Sequence, residues 1–197
     1  MPALAVLLNG EHIVTVAADG MDLVDVRVSG DLLGPEPAIV DVTGGTMGEG
    51  SDHLYLTWVS RRALAAGDSL EVAFLPEGVT SSPGKTVDEL YPEKSGSPPP
   101  PFQPIEEVVR ELTARPKHFE SIAFSLRAPD GTTTRVRTKP PEYGFAFSMS
   151  WASHRADKVR VSLHTYTLQS LLDRANGTYH ADYKLGQGQT VAFNVGA

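Results

Sequence analysis

The chain has no cysteine among its 197 residues. That excludes disulfides, a thiolate nucleophile, cysteine-ligated zinc and iron–sulfur clusters together, because each depends on a thiolate sulfur. It also lacks any run near the roughly eighteen apolar residues that a membrane-spanning helix needs. Met1 to Leu8 carry no basic stretch and pass straight into Asn9-Gly10-Glu11-His12, so no signal peptide is expected. A cytoplasmic protein without membrane contact is the expectation. Aromatic residues are few, at 8%, and fall on positions that read as buried, so stacking on nucleic acid is not expected. The six histidines (His12, His53, His118, His154, His164 and His180) show no His-x-x-x-His spacing, and no metal or other cofactor is expected.

What is present is an uneven charge. Residues 1–96 hold fifteen acidic against five basic side chains and residues 97–197 hold nine against twelve, giving about −10 and +3, which sum to the overall −7. Such asymmetry bears on partners rather than on fold. The acidic side chains Asp19, Asp22, Asp25, Asp31, Asp41, Glu49 and Asp52 are candidates for contact with a basic protein partner. In the second half Arg135, Arg137 and Lys139 alternate with Val136 and Thr138 and so share one strand face, which Lys158 and Arg160 extend from another strand.

Period-two alternation dominates. From Tyr143 to Trp151, the residues Tyr143, Phe145, Phe147, Met149 and Trp151 fall on one face of a strand, while Gly144, Ala146, Ser148 and Ser150 fall on the other. That second face has so little bulk that a backbone or helix fits close against it. Earlier segments alternate likewise: Val24, Val26 and Val28 between Asp25, Arg27 and Ser29, then Leu54, Leu56 and Trp58, then Leu70 to Phe74, with turns at Asn9-Gly10, Asp19-Gly20 and Gly67-Asp68. Pro76 to Phe102 changes to Gly, Ser, Pro, Lys and Glu and reads as a linker. Ile105, Val108, Val109 and Leu112 follow at helical spacing after Pro104 and stop before Pro116.

The halves match in order. Leu23 to Leu33 aligns with Tyr143 to Ser153, Ala38 to Thr43 with Lys158 to Leu163, and Leu64 to Phe74 with Leu185 to Val195. The expected fold is therefore mainly β, with two antiparallel β-sandwich-like domains related by internal duplication. The acidic domain spans 1–78, a linker 79–103, a helix 104–116, and the second domain 117–197 with a helical insertion at 165–176 carrying Leu168, Leu171 and Leu172.

Leu8-Asn9-Gly10, Asp52-His53-Leu54, Trp58 and Leu64-Ala65-Ala66-Gly67-Asp68 together make residues 4–75 resemble a small, uncharacterised bacterial all-β domain. The resemblance implies a β-sandwich-like fold and no activity; the second half departs from it, with Gln189 where the first has Asp68.

No catalytic constellation stands out. Gly67-Asp68-Ser69-Leu70 spells the GDSL hydrolase signature, but it precedes a final strand and no Asp-x-x-His follows to supply a base, so a tight turn is the expectation. Gly44 to Gly50 lacks the Gly-Lys-Ser/Thr of a phosphate loop. The one enzymatic candidate is the insertion, where His164, Asp173 and His180 would have to converge. The composite expectation is a non-enzymatic protein-binding protein of adaptor or toxin-neutralising immunity type, with a small-ligand or carbohydrate-binding β module as the alternative.

Overall fold

The computed structural model describes residues 1–48, 53–94, 101–175 and 177–196. In chain order the elements are β1 (Ala3–Leu8), β2 (Glu11–Ala17), β3 (Leu23–Asp31), β4 (Ala38–Gly45), β5 (Tyr55–Leu64), β6 (Ser69–Leu75), α1 (Val87–Leu90), α2 (Ile105–Ala114), β7 (Ala123–Arg127), β8 (Thr133–Arg137), β9 (Glu142–Ala152), β10 (Lys158–Thr167), α3 (Leu168–Leu172), β11 (Thr178–Gly186) and β12 (Gln189–Val195).

The strands form two six-stranded antiparallel sheets, in the orders β2-β1-β6-β12-β7-β8 and β11-β10-β9-β3-β4-β5. Residues 1–78 and 117–197 thus contribute three strands each to both sheets. Their strands meet through β6 against β12 and β3 against β9, and one cluster of buried side chains runs through both stretches. The sequence led us to expect a sheet set within each stretch; the unpaired edges of β6 and β3 are satisfied instead by strands of the other stretch, which removes two exposed edges.

Alternation decides what is buried. Val24, Val26 and Val28 point inward opposite Trp151, Met149 and Phe147, and all six are at most 3% exposed. Rings cross from one sheet to the other: Phe124 of β7 stacks on Phe145 of β9 at 4.1 Å, and Phe193 of β12 lies 5.3 Å from Phe147. Part of the second sheet's register repeats as well. Adding 121 to both members of the pair Val24↔Gly44 gives Phe145↔Thr165, also a pair, and Ala38↔Leu64 becomes Val159↔Leu185 in the same way. The sequence matching of Leu23 with Tyr143 is one residue short of this, because it sets inward Val24 against outward Gly144. A one-residue slip reverses every side chain.

The turn motifs clasp the first sheet. Asn9 and Gly10 have φ of 55° and 81°, and Gly67 has 96°, a conformation that disfavours a side chain. Asn9 Nδ2 donates to Asp68 Oδ1 at 2.8 Å while its Oδ1 accepts from the Ser69 N–H at 2.9 Å. Asp68 Oδ2 accepts from the Ala65 N–H at 2.7 Å, and in the second half Gln189 Oε1 accepts from the Gly186 N–H at 2.8 Å. The GDSL-like stretch is thus a hydrogen-bonded turn, and glutamine fills the acceptor's place.

The expected linker is tied down over its first part. Ser81 and Thr80 bond to Thr15 and Ala17 of β2, and Lys85 exchanges both backbone bonds with Thr57 of β5. Thr86 and Glu89 then form a capping box on α1. The helix α2 falls within the expected 104–116 and lies against α3 of the insertion rather than on the Gly144–Ser150 face. Leu168, Leu171 and Leu172 are half-buried there, outside the core cluster.

Candidate binding face

The outward side of the second sheet is built by the same alternation that fills the core. Cross-strand pairing sets three rows across it: Asp41–Arg27–Ser148–Ser162–Asp182, Thr43–Asp25–Ser150–Arg160–Lys184, and Ile39–Ser29–Ala146–His164–Tyr179. Its middle is small and hydroxylated, and its margins are charged or aromatic. Ser148 and Ser162 share a hydrogen bond of 3.1 Å, and the Ser150 hydroxyl donates to Asp25. Burial pushes the Asp25 carboxyl above the usual aspartate range, against the Ser150 bond and the nearby Arg27, which pull it down. Tyr166 lies over Gly144, where an added Cβ would meet its Oη at 2.5 Å and the Gly30 carbonyl at 2.5 Å. Burial together with Asp31 and Tyr143 pushes the Tyr166 phenol up to about 12.

A trough of ≈ 560 Å³ runs between this face and α1, floored by Asp25, Arg27 and Asp41 and rimmed by Tyr55 and Tyr91. Across the sheet, Arg160 holds Asp182 in a two-pronged ion pair, Nε to Oδ1 at 2.9 Å and an Nη to Oδ2 at 3.0 Å, and lies over Tyr179. Tyr179 also meets the His164 ring at a centroid distance of 5.3 Å. Burial, then Arg27, His180 and Arg160, hold the His164 imidazole below its usual pKa, and its Nδ1 is buried without a hydrogen-bond partner.

The candidate acids separate into different roles. Asp25 and Asp41 lie on this face, and Asp41 Oδ1 accepts from the Arg61 N–H at 2.7 Å, fixing a bulge in β5. Asp22 accepts from the Met47 N–H at 2.8 Å and from Ser153 at 3.1 Å, while Asp31 caps its own turn through the N–H groups of Leu33 and Gly34. Asp19 is exposed in the turn before β3. Glu49 and Asp52 lie outside the described residues. Arg135 and Arg137 are on β8 and Lys139 follows it, in the first sheet; Arg160 is on β10, in the second, so these basic side chains do not share a strand surface.

The insertion does not gather its three candidates. His164 faces Tyr179, whereas His180 bonds Thr165 Oγ1 at 2.9 Å; that hydroxyl donates in turn to Glu142 Oε1 at 2.6 Å, which assigns the His180 proton to Nε2. Asp173 accepts from Gln169 at 2.9 Å. Among the described residues no three of His, Asp and Glu are grouped as a metal site. Sequence reading missed Arg155, His154 and Lys184, which gather near Lys158 and Arg160 at one end of the face. Lys184 becomes visible only once β11 is registered on β10.

No family model matches this chain, no curated protein does, and no solved structure does. Among the described residues no helix is long and apolar enough to cross a membrane.

Proposed function

We propose that the chain is a non-enzymatic protein-binding protein of the cytoplasm, acting as an adaptor or neutralising partner by covering another protein with the outer face of its second sheet. The observation that carries this is the face itself. It is six strands wide, floored by Ser148, Ser150, Ser162 and Ala146, and bordered by Arg27, Asp41, Arg160 and Asp182, a charged frame suited to fixing the register of a partner. The two sheets pack as a sandwich, supported by the rings that stack between them, and the chain is an internal duplication, supported by the part of the second sheet's register that recurs at an offset of 121. Duplication explains the breadth of the face, since β3 and β9 join two copies of the same three-strand unit along their edges. The resemblance to a bacterial all-β domain accords with this scaffold and carries no activity with it.

A carbohydrate-binding reading wants an exposed aromatic platform, and neither indole supplies one. Trp151 is 3% exposed with its Nε1 bonded to the Ala156 carbonyl, and Trp58 packs against the core with Nε1 buried. The protein-binding reading is preferred on the indoles, while the exposed rings of Tyr55, Tyr91 and Tyr179 support the small-ligand alternative. The test of the protein-binding reading is capture from an extract of the source organism at low ionic strength. Wild-type bait retains a partner, Arg27→Glu loses it, and Arg135→Glu on the other sheet keeps it. Equal retention by Arg27→Glu and wild type would remove the face from the account.

A further inference from the structure

At the end of this face where β9 turns into β10 lies a small cavity of ≈ 150 Å³, over Ser150 and Ala152 and lined by His154, Arg155, Lys158, Arg160 and Lys184. Five of its lining side chains are basic or imidazole, in a chain whose net charge is −7. Arg160 is already paired with Asp182, and Lys184 adds to the field that holds the Asp182 carboxyl low. Arg155 and Lys158 pair with no carboxylate among the described residues, although Asp157 sits beside them in the exposed hairpin. The Ser150 hydroxyl donates its hydrogen bond to Asp25, so the positive charge around the cavity comes from the basic side chains alone.

We infer that this cavity is an anion site and that it seats one carboxylate of an acidic peptide segment presented by the partner protein, an inference resting on the protein-binding reading above. Charge complementarity with the basic side chains around the cavity selects the sign of its occupant. The acidic character of the rest of the chain opposes a long polyanion such as nucleic acid, whose binding calls for a broad basic surface with stacking aromatics. A short acidic segment meets the local field without that cost. Asp22, Asp31 and Asp41 accept backbone hydrogen bonds, while Arg155 and Lys158 on the second half have no carboxylate partner among the described residues.

The experiment is fluorescence anisotropy with a labelled hexaglutamate peptide at about 20 mM salt, where screening is weak. Wild type binds, and Lys158→Glu/Lys184→Glu weakens binding about tenfold or more. Arg135→Glu/Arg137→Glu, the same change in net charge on the other sheet, leaves it within about twofold. Circular dichroism checks that both variants fold, and Lys158→Gln/Lys184→Gln replaces the reversal if that variant does not. No binding by wild type, or equal loss in the control, overturns the site. Inorganic phosphate or a single-stranded oligonucleotide binding as tightly as the peptide overturns the peptide assignment. A peptide that fails to bind while partner capture stays sensitive to Arg27→Glu defeats this inference and leaves the protein-binding reading standing; a peptide that binds while capture is insensitive to Arg27→Glu overturns that reading and the assignment to a partner's segment, and leaves only an anion site.

Discussion

Truncating Phe193 tests whether the two stretches of chain share one core. Its ring is fully buried, 5.9 Å from Phe124 in its own sheet and 5.8 and 5.3 Å from Phe145 and Phe147 in the other. Phe193→Ala removes the ring and its contacts with both sheets, and such buried truncations cost about 3–5 kcal/mol. With a slope of roughly 4 kcal/mol per molar guanidinium, the midpoint falls by about 1 M. The two tryptophans report separately: Trp58 belongs to β5 of the first stretch and Trp151 to β9 of the second. In Trp58→Phe and Trp151→Phe backgrounds the remaining indole should follow a single transition that moves by the same amount in both. A displaced Trp151 transition beside an unmoved Trp58 transition would refute the reasoning and return the chain to two independent domains.

Three further outcomes follow from local geometry. Asp25 has a raised pKa in the folded state, so its ionisation costs stability as pH rises through that value; Asp25→Asn should raise the urea midpoint at neutral pH, with the gain closing as pH falls below about 4. Asp68 is held low by Asn9 and then by the Ala65 N–H, so its contribution is present at neutral pH and lost on acidification. Asp68→Ala should therefore destabilise in a pH-dependent way by less than about 1 kcal/mol, while Gln189→Ala should show no such pH dependence across the carboxylate range. Gly144→Ala sets a Cβ 2.5 Å from the Gly30 carbonyl, and calorimetry should show the melting temperature falling by roughly 4–8 °C for a cost of about 2 kcal/mol.

Much of the strand layout was legible because period two survives in a short window. Tyr143 to Trp151 declares its buried face without ambiguity, and the glycines at 67 and 188 mark equivalent turns before β6 and β12. The offset between halves was harder to read at β3. Leu23 and Val24 are both apolar, so the strand's start does not reveal which is inward, and matching Leu23 with Tyr143 sets inward Val24 against outward Gly144. Strand pairing between the stretches left no local trace, since an edge that meets a foreign strand has the same alternation as one that meets its own. The site suffered similarly. Asp22, Asp31 and Asp41 looked like a field of free charge, but each carboxylate accepts from a backbone N–H that only the folded turns bring near. His164 and His180 are close in the β hairpin yet take different partners: His164 pairs with Tyr179, while His180 is the extra residue at the register shift and bonds Thr165.

The most direct measurement of the central claim places a photo-crosslinking side chain at position 27, on the outer face of the second sheet, and in a second bait at position 135, on the first. Both baits are irradiated in extract of the source organism, and the crosslinked proteins are identified by mass spectrometry. The account predicts one partner crosslinked from position 27 and none from position 135. Crosslinks from position 135 alone, or none from either position, contradict it.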